Sequence, residues 1–194
     1  MFLINNYKMM PPYSALYLQI RDLISDIKVN VNNIEENTKR EIGELDRLLE
    51  EARKEDDFHE ENYLQHNYLD YEIYIRQNNN LMKELSTLYN NFEIYFKRIL
   101  LIKRTTKRIR NKRRDESYLT PLFEFLEKEL EFDLSSHTDF KRKIEDLKFM
   151  RNWETHEGND LTLKDDEVKE ILDEMCDEIL QFLNTLLEYL YNKK

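Results

Sequence analysis

The chain has 194 residues, a formal net charge of -10, and only two glycines and three prolines, where these two residues together fill about 12% of an ordinary chain. Folds that need many tight turns, such as most sandwiches, barrels and propellers, are thereby excluded. Gly43 and Gly158 also stand too far apart to build a glycine-rich phosphate loop or a dinucleotide fingerprint.

One cysteine, Cys176, permits neither an internal disulfide nor a multi-cysteine zinc site. No run approaches the roughly 18 apolar residues of a membrane span, and the mean hydropathy is -0.80. The apolar start Met1 to Ile4 is too short for a secretory signal. These features lead us to expect a cytoplasmic protein with no membrane partner. With 40% hydrophobic and 12% aromatic residues, the chain can still build a core despite being 36% charged.

In chain order, Pro11-Pro12 precedes Ser14, a predicted N-cap, and a heptad begins: Ile20, Ile27, Ile34, Glu41, Leu48 on one line and Ile24, Val31, Thr38, Leu45, Ala52 beside it. This predicts one helix over about 14–56, turned at Arg53 to Asp57. A second heptad, Leu64, Tyr71, Asn78, Leu85, Phe92, Ile99 with Tyr68, Ile75, Met82, Tyr89, Phe96, predicts a continuous helix over about 60–112, with Asn78 to Asn80 as a place to bend. The short link makes the two an antiparallel hairpin.

Thr120-Pro121 reads as a cap and a first helical proline, opening a helix to about 131. Ser135 or Ser136 caps the next, to about Trp153, stopped by Glu157-Gly158-Asn159-Asp160. The last helix, about 164–191, carries an apolar stripe from Val168 to Leu190 broad enough to face two neighbours, with surface to spare for a second subunit. The fold class is therefore all-α: a bundle of about five helices with a long N-terminal antiparallel hairpin. Residues 1–79 form a hairpin extension and 80–194 the bundle, together one structural unit.

Residues 97–114 hold ten cations in eighteen positions with no acid among them, so the rest of the chain carries about -20. On a helix, Lys103, Lys107, Arg110 and Arg114 would form one stripe beside Arg104 and Arg108, a pattern suited to an RNA phosphate backbone. The competing reading is a solvated helix end that pairs with acidic helices of this chain or of another subunit.

The segment Arg151-Asn152-Trp153-Glu154-Thr155-His156 falls at the end of the penultimate predicted helix, just before the Gly158 break. It resembles the signature of the HEPN superfamily: an arginine, a polar residue directly after it, and a histidine a few positions on, in a small all-helical bundle. Arg53 and His59 also fit an arginine followed four to six residues later by a histidine, but they lack the asparagine after the arginine and the position before the last helix.

The resemblance implies a metal-independent endoribonuclease that acts as a homodimer, with no cofactor and with two motifs meeting between subunits. It also implies Arg151, Asn152 and His156 as catalytic residues and Glu93 as a possible acidic helper. Such a protein would be a toxin or antiviral effector, with a cognate antitoxin or other protein as partner. Other members of the superfamily are non-catalytic modules that bind RNA or a protein, which is the alternative reading here.

The chemistry suits the residue types. Cleavage through the RNA 2′-hydroxyl needs a base, an acid and positive charge. Histidine serves either proton role, and arginine offers a planar fork to phosphate oxygens.

Overall fold

The computed structural model describes residues 13–102, 108–114, 116–156 and 165–193, and only the backbone at positions 70, 71, 151–156, 165 and 166. Among the described residues all regular structure is helical: α1 (Tyr13–Lys54), α2 (Phe58–Tyr63), a π-helical stretch (Leu64–Tyr74), α3 (Ile75–Ile102), α4 (Thr120–Lys128), a 3₁₀ turn (Ser135–His137), α5 (Thr138–His156) and α6 (Asp165–Asn192). The all-α helical bundle expected from the sequence is what the chain forms.

The heptad of α1 is buried along its length, through Leu16, Ile20, Ile24, Ile27 and Val31, then Leu45, Leu49 and Ala52. Ser14 lies inside the first turn of α1 rather than capping it. The chain reverses at Asp56, which takes a left-handed φ of 55°, a conformation that a short polar side chain tolerates. Asp57 then caps α2, its carboxylate accepting from the Glu60 amide at 3.0 Å. Arg53 braces the turn by donating to Glu61 at 2.6 Å.

The second arm departs from the expected continuous helix over 60–112. Residues Leu64–Tyr74 wind more loosely, in i→i+5 fashion. The apolar residues explain the change: Leu64, Leu69 and Ile73 follow one another at intervals of five and four, and all three pack into the tip of the hairpin. The wider turn keeps them on one side. Asn78 to Asn80, the expected bend, lie within unbroken α3.

Two cores result. The larger joins α1 residues Leu16 to Val31 with α3, α4, α5 and α6. At its centre Phe182 packs on Phe92, Phe96, Phe123, Phe132 and Phe140, with ring centroids 4.5 to 6.3 Å away. The smaller core, at the hairpin tip, comprises Leu45, Leu49, Ala52, Leu64 and Ile73.

Between the cores the heptad turns polar. The Thr38 hydroxyl donates to the Ile34 carbonyl at 2.9 Å, and Arg76 pairs with Glu41 beside a cleft of about 530 Å³.

Apart from half-buried Ile171, the α6 stripe is used inside the chain. Val168, Leu172, Met175, Ile179, Leu183, Leu186, Leu187 and Leu190 are all at most 2% exposed, and α6 packs on both α1 and α3. The expected spare surface for a second subunit is absent from this stripe. Its two neighbours both come from the same polypeptide. Cys176 is buried among these residues, and burial pushes its thiol up to about 12.

Candidate functional site

Helix α5 follows a local staple. The Asp133 carboxylate accepts from the Ser135 amide at 2.9 Å, and the Thr138 hydroxyl donates to the Ser135 carbonyl at 3.0 Å. Phe140, Ile144 and Leu147 seat the helix on the core. Lys143 ties it to α6 by donating to Glu174 at 2.7 Å and to Glu178, and these partners hold its ammonium well above the usual lysine range.

The helix runs past the expected end near Trp153 and through His156, so Arg151, Asn152 and His156 all lie on helical backbone. Asn152 and His156 are four apart, one turn, while Arg151 is offset around the helix. Their side chains lie outside the described residues, as do Glu157 to Asp160, the expected helix stop.

The described part of the basic segment, residues 108–113, does not continue the helical stripe that its charge pattern suggested. Helix α3 is described as far as Ile102, and residues 108–113 form no helix. Lys103, Arg104 and Lys107 lie outside the described residues. Like charges crowd residues 108–114, and no acid within that stretch relieves the repulsion.

The nearest relief comes from beyond it. Arg110 donates to Glu124 from Nε at 2.9 Å and from Nη2 at 3.0 Å. It donates to Glu116 from Nη1 at 2.6 Å and from Nη2 at 3.0 Å, and to the Asn111 carbonyl at 3.0 Å. These five bonds match the five N–H groups of a guanidinium, so Arg110 has no donor left for a phosphate. The pairing is worth forming for the loop because bidentate, charge-assisted bonds are the strong ones.

The carboxyls respond accordingly. Hydrogen bonds from the Arg110 guanidinium and the Arg113 amide hold Glu116 down at about 2, and Arg110 also holds Glu124 below the ordinary carboxylate range.

The other described cations divide. Lys112 lies over the Tyr118 ring, 4.2 Å from its centroid, and Arg98 over Tyr95 at 5.6 Å. Lys97, Arg108 and Arg114 are exposed, and none of the three has an ion-pair partner among the described residues.

Folding the loop back onto α4 creates a cleft of about 380 Å³ against α3, and it brings together two residues singled out from the sequence, Glu93 and Arg110, with Lys97, Asn111, Lys112 and Tyr118. Glu116, Glu124 and Tyr118 were not singled out. The only sequence signal for the two glutamates is that acids resume immediately after the basic run.

Among the described residues, no group of three or more His, Cys, Asp or Glu is placed to hold a metal ion, and no helix is long and apolar enough to cross a membrane. No protein-family model matches the chain, and neither the curated proteins nor the solved structures include one similar to it.

Proposed function

We propose that this chain is a metal-independent endoribonuclease of HEPN type, a toxin or antiviral effector in the cytoplasm, that cleaves RNA by attack of the 2′-hydroxyl on the adjacent phosphate. The observation that carries this reading is the placement of Arg151, Asn152 and His156 on one unbroken stretch of α5, at the end that leads to the last helix of an all-α bundle. In this reading Arg151 holds the phosphate oxygens, Asn152 orients phosphate or imidazole, and His156 moves the proton.

One histidine cannot take the 2′-hydroxyl proton and protonate the 5′-oxygen in the same instant. A homodimer that joins two copies of the motif supplies both roles. Lys103, Arg104, Lys107, Arg108 and Arg114 contact the RNA backbone, with Arg110 holding the loop that carries Arg108 and Arg114. A cognate antitoxin or other protein partner would act by covering this surface.

The full engagement of Arg110 within the chain favours a second reading, a non-catalytic helical module that binds RNA or a protein partner. The nature of the product ends separates the two. Attack by the 2′-hydroxyl leaves 2′,3′-cyclic phosphate ends on RNA incubated with the protein and EDTA. Intact RNA, or ends bearing 3′-hydroxyls, would reject the proposed mechanism.

A further inference from the structure

We infer that the cleft between α3, residues 109–112 and residues 118–122 is a pocket for one unpaired guanine nucleotide. The assignment rests on the RNA reading above for the class of ligand and deepens it by naming the base.

The volume of about 380 Å³ lies within the range of small-molecule sites. Its loop wall is held in place, because Arg110 is bonded to Glu116 on the same loop and to Glu124 on α4. A site fixed before the ligand arrives loses little ordering entropy on binding.

The chemistry of the walls selects the ligand. Tyr118 is 57% exposed and lines the cleft, with Lys112 over one face of its ring. The opposite face offers a stacking platform to a splayed-out base. On the facing wall Glu93 and Lys97 stand one turn apart on α3, the spacing at which opposite charges normally pair. No ion pair joins them, which leaves a carboxylate and an ammonium both directed to what enters.

A carboxylate presents only acceptors. The Watson–Crick edge of guanine presents two adjacent donors, N1–H and N2–H₂, which match two carboxylate oxygens. Adenine and cytosine present one amine donor beside an acceptor, and uracil one N–H between two carbonyls that a carboxylate repels. The phosphate then falls to Lys97 and Lys112, since Arg110 has no donor left. Glu93 accordingly reads the base rather than assisting the cut.

The test is equilibrium binding of GMP, AMP and UMP to the full chain at low salt, compared with Glu93→Gln and Tyr118→Ala variants whose helicity and melting temperature are checked. GMP is expected to bind about tenfold more tightly than AMP or UMP, a preference that Glu93→Gln abolishes, since a good bidentate contact discriminates by about 1–3 kcal/mol. Tyr118→Ala is expected to weaken all three nucleotides by about tenfold.

Equal affinity for the three nucleotides, or a preference that survives Glu93→Gln, overturns the assignment, even if the protein cleaves RNA. The expected pattern in a protein that leaves RNA intact upholds the pocket and rejects the nuclease.

Discussion

The Arg110 guanidinium and the Glu116 carboxylate, six positions apart, meet as a fork, Nη1 to Oε2 at 2.6 Å and Nη2 to Oε1 at 3.0 Å. Glu124, from α4, completes the cage. This cage holds residues 108–114 in a folded loop. It takes up all the donors of Arg110 within a segment whose composition suits phosphate.

The cage gives the loop an acid sensitivity of definite sign. Glu116 titrates at about 2 in the folded chain, below its ordinary 4.5. Its contribution to stability is therefore present in full above about 4.5 and lost as pH falls toward about 2. Glu116→Gln should melt at a lower temperature than wild type at pH 7, and the gap should close as the pH is lowered through that window. Melts that stay equally far apart at pH 7 and pH 2.5 would show that the fork contributes nothing of this kind.

The same geometry divides the arginines by role. Arg108→Gln and Arg114→Gln, at exposed positions, should each reduce the salt dependence of RNA binding by about 0.7 in the log–log slope expected for single strands. Arg110→Gln should instead lower the melting temperature and leave the slope nearly unchanged. Equal slope changes for all three would mean that Arg110 releases its glutamates to bind RNA.

Much of the bundle could be read from periodicity alone. Ile20, Ile24, Ile27 and Val31 recur at helical spacing and are buried, because a repeat long enough to cover several turns leaves one solution for the apolar face. Three features could not be read. The π stretch depends on how Leu64, Leu69 and Ile73 meet α1, a tertiary demand that overrides the local heptad. The loop at residues 108–113 depends on Arg110 reaching Glu124 across a turn, a pairing that spacing rules for one helix do not contain. The α6 stripe looked oversized because both of its neighbours, α1 and α3, had to be known before its burial could be judged. Of the candidate site, Glu93 and Arg110 were named from sequence and share a cleft, while Tyr118 was missed because a lone tyrosine in a polar segment carries no pattern.

Phe182 is the residue on which the larger core depends, with six aromatic rings including His137 around it. Phe182→Ala should cost about 3–5 kcal/mol in denaturant unfolding. Ile94→Ala, on the same core's outer surface and 47% exposed, should stay within about 0.5 kcal/mol of wild type. Similar costs for the two would contradict the packing described.

The decisive measurement is the rate of RNA cleavage in the presence of EDTA by wild type, Arg151→Ala, His156→Ala and the double variant Arg53→Ala/His59→Ala. The last carries an arginine and a histidine six positions apart, against five in the motif, at the hairpin turn, where Arg53 pairs with Glu61. Wild type and the double variant should cleave alike, while Arg151→Ala and His156→Ala should each fall by about 10²-fold or more with helicity retained, the scale of lost general acid-base catalysis. Cleavage that stops when EDTA is added, or that proceeds equally in all four proteins, would contradict the proposed function.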